Sequence, residues 1–504
     1  MIDSRIHIAF HDILKAFENY SEREAIIDKD GSTYTYSEFK TYITGARSEL
    51  IKRGIKKGDK VLVFVPMSLE LYSILEGLFS IGATAIFLDP WMKGKKMSQV
   101  IRQVKPDLFV VTKKINRIAR ILPVTWFLKK WIVEKIVPNN NAWQIDSVND
   151  DDNALITFTS GTSGKPKGAN RTFGFLHSQA ETLKSHLISQ NNQHYIDYTN
   201  FPIVGLADFA MGNTVVVPQI NLMKIDEANT DDIILHLEKT KANRIIVSPI
   251  LLKKISVGLK RVTNITEVVT GGAPISNTLL KFCVNNFPKI KFEAIYGSTE
   301  AEPICITSFD QIADSFDNPL KGVFVGKPVY AIQLKIIKPK AGSLSAFDLD
   351  KSELSETEIG EIIVTGNHVN KNYFENEEAF RINKIVDKNK TIWHRTGDIG
   401  YLENEQLYLV GRDHRIMEFE NKKIYPYPIE QYIEEQFGYT DLGYVKNKNG
   451  KFILYIGEVQ NIDIEKIKSE IKKVGYPVDE IIFSKKSLPR DARHKSKLQI
   501  ENLI

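Results

Sequence analysis

One stretch of the chain reads Thr159-Ser160-Gly161-Thr162-Ser163-Gly164-Lys165-Pro166-Lys167-Gly168, and it directly follows an apolar run at 154–158. Glycines let a backbone approach an anion closely, hydroxyls donate hydrogen bonds to its oxygens, and lysines supply positive charge. An apolar strand that leads into such a loop therefore predicts a cradle for phosphate oxygens. The spacing differs from that of a Walker loop, because no glycine stands five residues before Gly164 and proline follows Lys165. A P-loop kinase or ATPase is disfavoured.

Strand-like runs alternate with helix-like segments on both sides of this loop. Such alternation is typical of parallel sheets covered by helices, which bind ligands at the carboxyl ends of their strands. The fold class is therefore α/β. A helix is predicted at 69–81, and strands are predicted at 61–65, 84–88, 107–111, 214–217, 244–247, 267–270 and 292–295.

The pattern changes after residue 325. Runs at 332–336, 359–364 and 406–410 predict a β-rich subdomain, because turn residues separate them instead of helices. The segment 338–358 is charged and contains Gly, Ser and Pro, which predicts an exposed loop.

The last ninety or so residues predict a separate α+β unit, with strands at 451–456 and 480–483 and an amphipathic helix at 464–474. A chain of 504 residues is too long for one ordinary core. We therefore expect a large N-terminal body over 1–411 and a small mobile C-terminal domain over 412–504.

The composition excludes several classes of protein. The 67 basic residues nearly balance the 62 acidic ones, so the net charge of +5 gives no footprint for nucleic acid. Cys283 and Cys305 have no neighbours at metal or redox spacing, which favours a cytoplasmic location. No run approaches the ~20 apolar residues of a membrane helix, and the charged first thirty residues do not resemble a secretory signal.

The segment 115–137 combines two tryptophans, many aliphatic side chains and several basic residues. One interpretation is a pair of surface helices packed on the sheet, with lysines extending towards water. The other is a surface that receives a lipid chain or touches a membrane face, so any membrane contact is expected to be peripheral.

The loop at 159–168 closely resembles the phosphate-binding signature of the adenylate-forming enzymes, the superfamily of acyl-CoA synthetases, firefly luciferase and peptide-synthetase adenylation domains. An unliganded surface loop of similar composition is the alternative. The resemblance implies that ATP is held by Thr159, Ser160, Gly161, Thr162, Ser163, Gly164, Lys165 and Lys167.

The pentapeptide Tyr296-Gly297-Ser298-Thr299-Glu300 resembles the second signature of the superfamily. The resemblance implies that Tyr296, with Gly297, lies against adenine, that Thr299 contacts the α-phosphate and that Glu300 binds Mg²⁺. These types suit the chemistry, because a hard cation needs carboxylate oxygens and a phosphoryl group under attack needs donors. An exposed turn is the alternative for the pentapeptide alone. The preceding turn matches the adenine pocket, which implies contacts from Gly272, Ala273 and Pro274.

The stretch 393–398, Trp-His-Arg-Thr-Gly-Asp, resembles the third signature, which implies that Asp398 binds the ribose hydroxyls. The alternative is a turn aspartate before a strand. Arg412 matches the expected second contact to ribose and phosphate. Near the C-terminus, Lys497 aligns with the catalytic lysine of the superfamily, although counting from Pro489 selects Lys495. A solvated basic tail is the alternative.

The chain departs from the superfamily at several positions. Many relatives carry histidine where this chain has Val204 or Gly205, aspartate where it has Arg415, and glycine, next to the pantetheine arm, where it has Asn421. These departures resemble the β-lactone synthetases of bacterial olefin biosynthesis.

The resemblance implies an AMP-forming acid ligase that uses ATP and Mg²⁺ to activate a carboxylic acid as acyl-AMP, with pyrophosphate released. A medium- or long-chain fatty acid is the expected substrate. The acyl group then passes to CoA, or to the 3-hydroxyl of the substrate itself as a β-lactone. A homologue that binds nucleotide or lipid without turnover is a further alternative.

Overall fold

The computed structural model describes residues 6–89, 92, 94–159, 166–187, 193–315, 318–489 and 498. The helices in these ranges are α1 His11–Asn19, α2 Tyr36–Lys52, α3 Leu69–Ile81, α4 Gly94–Val104, α5 Lys113–Ala119, α6 Phe173–Leu187, α7 Pro202–Met211, α8 Thr230–Thr240, α9 Pro249–Ser256, α10 Asn277–Asn286, α11 Phe309–Asp314, α12 Ala346–Ser352, α13 Glu377–Asn383, α14 Pro426–Phe437 and α15 Ile464–Lys473.

The strands of the first half are β1 Glu24–Ile27, β2 Thr33–Thr35, β3 Lys60–Phe64, β4 Thr84–Leu88, β5 Leu108–Thr112, β6 Lys130–Val133, β7 Asn153–Thr159, β8 Lys167–Thr172, β9 Ile196–Thr199, β10 Thr214–Val216, β11 Arg244–Val247 and β12 Glu267–Gly271. Those of the second half are β13 Lys291–Ser298, β14 Ala301–Ser308, β15 Val323–Gly326, β16 Gln333–Ile337, β17 Gly360–Thr365, β18 Lys384–Val386, β19 Ile392–Glu403, β20 Gln406–Arg412, β21 Met417–Phe419, β22 Lys422–Ile424, β23 Leu442–Lys446, β24 Phe452–Ile456 and β25 Glu480–Phe483.

Two large sheets form the first part of the fold. One has the order β14-β13-β12-β11-β9-β10-β1-β2 and the other the order β6-β5-β3-β4-β7-β8. Their inner strands are parallel, and antiparallel strands β2, β8 and β14 close three of the edges. Helices cover these sheets because the inner strands are buried on both faces. The predicted α/β class is confirmed.

Helix α3 runs through the core between the sheets and α2. Ser68 caps its first turn, and Gly82 ends it in the left-handed region at φ 74°. Nearly every side chain between them is buried. A methyl group at Gly205 on α7 would collide with the Tyr72 hydroxyl of α3, so this contact requires glycine at 205. Close packing of α3 on α7 thus accounts for glycine at one of the two positions where relatives carry histidine.

A β-rich region follows, with β15-β20-β19-β17-β16 in one antiparallel sheet and β18 paired to β19. The prediction of a loop over 338–358 is wrong in part, because α12 forms there. Its capping box joins Ser345 to Asp348, and Leu349 packs against Ile363 and Trp393. A short helix with one buried anchor leaves little apolar periodicity to detect.

The prediction of two surface helices over 115–137 is also wrong. The segment holds α5, a single 3₁₀ turn at Pro123–Thr125, and the edge strand β6. Strand β6 pairs in parallel with β5, so Trp131 and Val133 become part of the sheet core. The alternating burial of β6 reflects its place at the edge of the sheet.

The last part of the chain has a core of its own, between the sheet β23-β24-β25 and helices α14 and α15. Helix α14 also contacts α10, where the Glu434 carboxylate accepts a 2.9 Å hydrogen bond from the Thr278 amide. The division at 411/412 and the mobility of the C-terminal unit remain predictions. Among the helices that the structure describes, none combines the length and apolarity needed to cross a bilayer.

Candidate active site

A cavity opens where strands β12 and β13 end, between the eight-stranded sheet, β20 and α14. It brings together seven of the residues predicted from sequence to contact nucleotide. These are Gly272, Ala273, Pro274, Tyr296, Gly297, Asp398 and Arg412. Parallel strands that end together explain this convergence, because Gly272 follows β12 and Tyr296 lies near the end of its neighbour β13.

Asp398 is the centre of a hydrogen-bonded group in this cavity. Strands β19 and β20 place Asp398 opposite Arg412, whose Nε lies 2.7 Å from Asp398 Oδ1. The Tyr296 hydroxyl donates to Asp398 Oδ2 over 2.9 Å. Attraction to Asp398 raises the pKa of Arg412, and burial raises the pKa of Tyr296. The carboxylate has lone pairs for two further donors, so it can still accept hydroxyl groups from a ligand.

Thr299 and Glu300 form the tight turn between β13 and β14, outside the cavity lining. Arg171 Nη2 donates to the Thr299 carbonyl over 3.0 Å, and the Asn370 amide donates to the Glu300 carbonyl over 2.7 Å. The Tyr373 hydroxyl donates to Glu300 Oε1 over 3.2 Å. Contacts to both backbone and side chain therefore fix the direction of the Glu300 carboxylate.

Lys384 lies behind this turn, and the sequence analysis missed it. Its ammonium group donates to the Asn370 carbonyl and lies 5.3 Å from the centre of the Tyr373 ring. Burial lowers the pKa of Lys384 to about 7. Burial and the nearby Lys384 lower the pKa of His394, its partner across β18 and β19, to about 3. The sequence around Lys384 carries no motif, and its place near Glu300 depends on the pairing of its strand with the Trp-His-Arg motif.

Among the residues of the loop that are predicted to contact ATP, Lys167 is the one whose side chain the structure describes. Its ammonium group donates to Asn383 Oδ1 over 3.1 Å and lies 6.0 Å from the centre of the Tyr373 ring. Lys167 is therefore near the residues that hold Glu300. The predicted contacts of Ser160, Gly161, Thr162, Ser163, Gly164 and Lys165, and of the Thr159 side chain, lie outside the described residues.

The two candidate catalytic lysines, Lys495 and Lys497, also lie outside the described residues. The neighbouring Leu498 lines the cavity and packs against Val445 and Tyr455 of the C-terminal core.

Two of the departures noted in the sequence have a structural explanation. Buried Arg415 lies 2.5 Å from Glu430 of α14 and donates to the Tyr444 carbonyl over 3.2 Å. Asn421 is exposed at the turn between β21 and β22, with φ 61°. Asparagine tolerates this left-handed conformation better than most residues, so the turn keeps its shape without glycine.

The described residues include no group of three His, Cys, Asp or Glu side chains arranged to hold a metal by themselves. Glu300 could supply one carboxylate to a cation near the cavity. This donor set fits Mg²⁺, which is bound through one or two carboxylates plus substrate phosphates. The buried hydroxyl of Ser298, the last residue of β13, has no hydrogen-bond partner among the described residues.

Comparison with known proteins identifies the family. The model of the AMP-binding enzyme family matches residues 14–374. The chain belongs to this family. The predictions that it is an adenylate-forming superfamily member and an enzyme are confirmed.

Its relatives differ in their reactions. The chain is 23% identical to a probable CoA ligase of Humulus lupulus over 468 residues, 83% of this chain and 80% of the relative. It is 24% identical to an olefin beta-lactone synthetase of Stenotrophomonas maltophilia over 401 residues, 75% of this chain and 72% of the relative. The O-succinylbenzoate coenzyme A synthetase of Bacillus subtilis, solved with ATP and a magnesium ion, shares the fold, with a TM-score of 0.77, 20% identity and 98% of each chain covered.

Proposed function

We propose that this enzyme uses ATP and Mg²⁺ to activate a carboxylic acid as acyl-AMP. The observation that carries this proposal is the meeting of Tyr296, Asp398 and Arg412 in one cavity with the turn at 272–274. A carboxylate oxygen attacks the α-phosphorus, the bond to the β-phosphate oxygen breaks, and pyrophosphate leaves.

Each residue has a role in this proposal. Asp398 accepts hydrogen bonds from the ribose hydroxyls, and Arg412 holds it in this orientation. Gly272, Ala273, Pro274, Tyr296 and Gly297 surround adenine, while Thr299, Lys167 and the loop at 159–165 donate to phosphate oxygens. Glu300 holds Mg²⁺, which when bound supplies positive charge that stabilises the phosphates.

The first test is pyrophosphate release with a panel of aliphatic and aromatic carboxylic acids. Octanoic, dodecanoic and hexadecanoic acids are expected to give release that depends on both ATP and Mg²⁺, with benzoic acid as the aromatic comparison. ATP binding in a calorimeter without release on any acid would instead favour a non-catalytic nucleotide-binding protein.

Lys497 is proposed to lie between the reacting carboxylate and the α-phosphate, whose charges repel each other. Lys497→Ala is therefore expected to slow adenylation by roughly 10²-fold, and Lys495→Ala by much less. The opposite result would shift the assignment to Lys495. Normal adenylation by both variants would remove this segment from the reaction.

We propose CoA as the acyl acceptor, by the relatedness to CoA ligases, and β-lactone formation as the second candidate. The similarity to an olefin beta-lactone synthetase favours the second candidate. So does Arg415, which stands at the position of the usual aspartate and pairs with Glu430. If the substrate is a 3-hydroxy acid, its hydroxyl is on the same molecule as the activated carbonyl, so ring closure needs no second substrate.

A mass spectrum separates the two fates. 3-Hydroxyhexadecanoic acid with ATP and Mg²⁺, but without CoA, would give AMP and the acid less one water if the β-lactone forms. Rapid formation of a CoA thioester, with no dehydrated product when CoA is left out, would reject the β-lactone.

A further inference from the structure

The segment 113–130 is strongly basic. It carries Lys113, Lys114, Arg117, Arg120, Lys129 and Lys130 and has no acidic residue. Lys113 pairs with Glu134 at 3.1 Å, and Lys129 donates to the Arg53 carbonyl. Within the part of the chain that the structure describes, the exposed Lys114, Arg117 and Arg120 form no ion pair. We call the exposed face of this segment the 113–130 surface.

The same segment divides its apolar side chains between two directions. Ile115, Val124 and Leu128 pack against the core of the six-stranded sheet. A second set faces solvent, and the exposed fractions are Ile118 60%, Ile121 78%, Trp126 60% and Phe127 91%. The second set is therefore not needed to hold the segment in place. Large apolar side chains exposed together mark an interaction surface.

Trp126 shows how such a surface can meet an apolar phase. Its indole N–H donates to the Arg120 carbonyl over 2.7 Å, so its one polar group is satisfied within the segment. The ring can then enter an apolar environment without losing a hydrogen bond. The cations beside it remain available for anions.

We propose that the 113–130 surface binds the interface of an anionic lipid bilayer, with Ile118, Ile121, Trp126 and Phe127 inserted among the lipids and Lys114, Arg117 and Arg120 at the headgroups. Exposed aromatic and aliphatic side chains beside unpaired cations have the make-up of an interfacial membrane anchor. A second copy of the chain is a poorer occupant, because a symmetric dimer would place this basic surface against itself.

The position of the surface fits the proposed function. Helix α5 begins at the carboxyl end of β5, and the predicted phosphate loop begins at the carboxyl end of β7. These parallel strands lie in one sheet with β3 and β4 between them, so the two features share an edge about 15 Å apart. The start of the surface is therefore close to the proposed site, and the rest of the segment runs back along the sheet to Lys130, at the amino end of β6.

Vesicle cosedimentation of the full chain tests the proposal without reference to activity. Vesicles of phosphatidylcholine with phosphatidylglycerol are expected to bind the protein at least about tenfold better than phosphatidylcholine alone. The double variants Ile121→Ser/Phe127→Ser and Arg117→Glu/Arg120→Glu should each lose about tenfold or more. Phe347→Ser, which removes another side chain that is 63% exposed, should bind like the wild type.

Three results would overturn the proposal. They are equal binding to both kinds of vesicle, binding that neither double variant weakens, and a dimer in light scattering that Ile121→Ser/Phe127→Ser converts to a monomer. Since all these positions are exposed, unfolding midpoints should stay unchanged. Pyrophosphate release on soluble acids should stay unchanged too, so failure here is separate from failure of the proposed function.

Discussion

Two similar ion pairs lie near opposite strand ends of the eight-stranded sheet, in different surroundings. At the amino ends of β9 and β11, the Arg244 guanidinium lies 2.6 and 2.7 Å from the Asp197 carboxylate oxygens, and both side chains are fully buried. Facing the carboxyl ends of β12 and β13, the Arg412–Asp398 pair of β19 and β20 lines a cavity, and the Arg412 side chain is 28% exposed. A buried ion pair is therefore no sign of function by itself. What distinguishes the second pair is that a ligand can reach it.

We call the amino ends, where the ion pair is sealed from solvent, the closed edge, and the carboxyl ends, where the cavity lies, the open edge. At the closed edge the guanidinium has further hydrogen-bond and charge partners. Arg244 donates to the Leu187 carbonyl over 2.6 Å and lies 3.7 Å from Glu267 and 3.5 Å from Asp208. Burial, and then the charge of Asp197, raises the pKa of Asp208 and so favours its neutral form. The Asp197–Arg244 pair is therefore the main ion pair at the closed edge. These contacts join three strands and α7, which indicates a structural role.

The largest effect is expected when the closed pair is broken. Arg244→Met leaves Asp197 buried and without its partner, so the free energy of unfolding should fall by about 3–5 kcal/mol in urea titrations. Arg412→Met is the matched variant at the open edge. It should lose less stability and much more activity, and equal stability losses would remove the distinction between the edges.

Glu76 extends the comparison to a buried carboxyl that forms no ion pair with any residue that the structure describes. It lies on α3, is 6% exposed, and burial raises its pKa from 4.5 to about 8. The native state therefore binds more protons than the unfolded state between these values, so stability falls as pH rises through this window. The loss across this window should be on the order of 4 kcal/mol, since each pKa unit is about 1.4 kcal/mol and each state is only half titrated at its own end of the window.

Unfolding midpoints measured from pH 5 to pH 8 check this sign. Glu76→Gln removes the titrating group, so its stability should change less with pH than that of the wild type. Glu70→Gln, in the first turn of the same helix, is the matched control and should follow the wild type. A pH slope that Glu76→Gln leaves intact would mean that other groups produce it.

The sequence predicted elements well where local signals agreed. Helix α3 has the bounds Leu69–Ile81 that were predicted, because a serine cap, an apolar run and a glycine stop point to one answer. Seven of the cavity residues were predicted as well, because each lies in or beside a short motif. Their roles stay predictions.

Contacts between distant segments could not be predicted in this way. Lys384 approaches Tyr373 and Glu300 only because β18 pairs with β19, and the sequence around it carries no motif. Strand β6 was misread because its apolar residues pack on β5, which precedes it by about twenty residues. The Glu76 signal was present, as the one acid in the middle of a nearly apolar helical run whose other acid, Glu70, lies in the first turn, but the run was interpreted only for its period.

At the open edge, Asp398→Asn should lower kcat/KM for ATP on the order of 10²-fold. Asparagine keeps the shape, but it loses the charge that strengthens hydrogen bonds from ribose hydroxyls. The measurement is pyrophosphate release against ATP concentration. Asp413→Asn, at an exposed neighbouring position, serves as the control, and similar kinetics for both variants would exclude Asp398 from the nucleotide site.

The smallest expected effect concerns the hydroxyl that orients Glu300. Tyr373→Phe removes the 3.2 Å hydrogen bond to Glu300 Oε1 while keeping the ring beside Lys384. One such bond is worth about 1 kcal/mol, so the Mg²⁺ concentration for half-maximal release should rise roughly fivefold with kcat nearly unchanged. Tyr401→Phe is the matched control, because its hydroxyl donates over 3.0 Å to the Lys321 carbonyl.

Glu300→Gln should move the Mg²⁺ titration further than Tyr373→Phe does. If Glu300→Gln shifts the titration and Tyr373→Phe does not, other contacts orient the carboxylate. If neither shifts it, Glu300 holds no metal and the open edge binds ATP by its cavity residues alone.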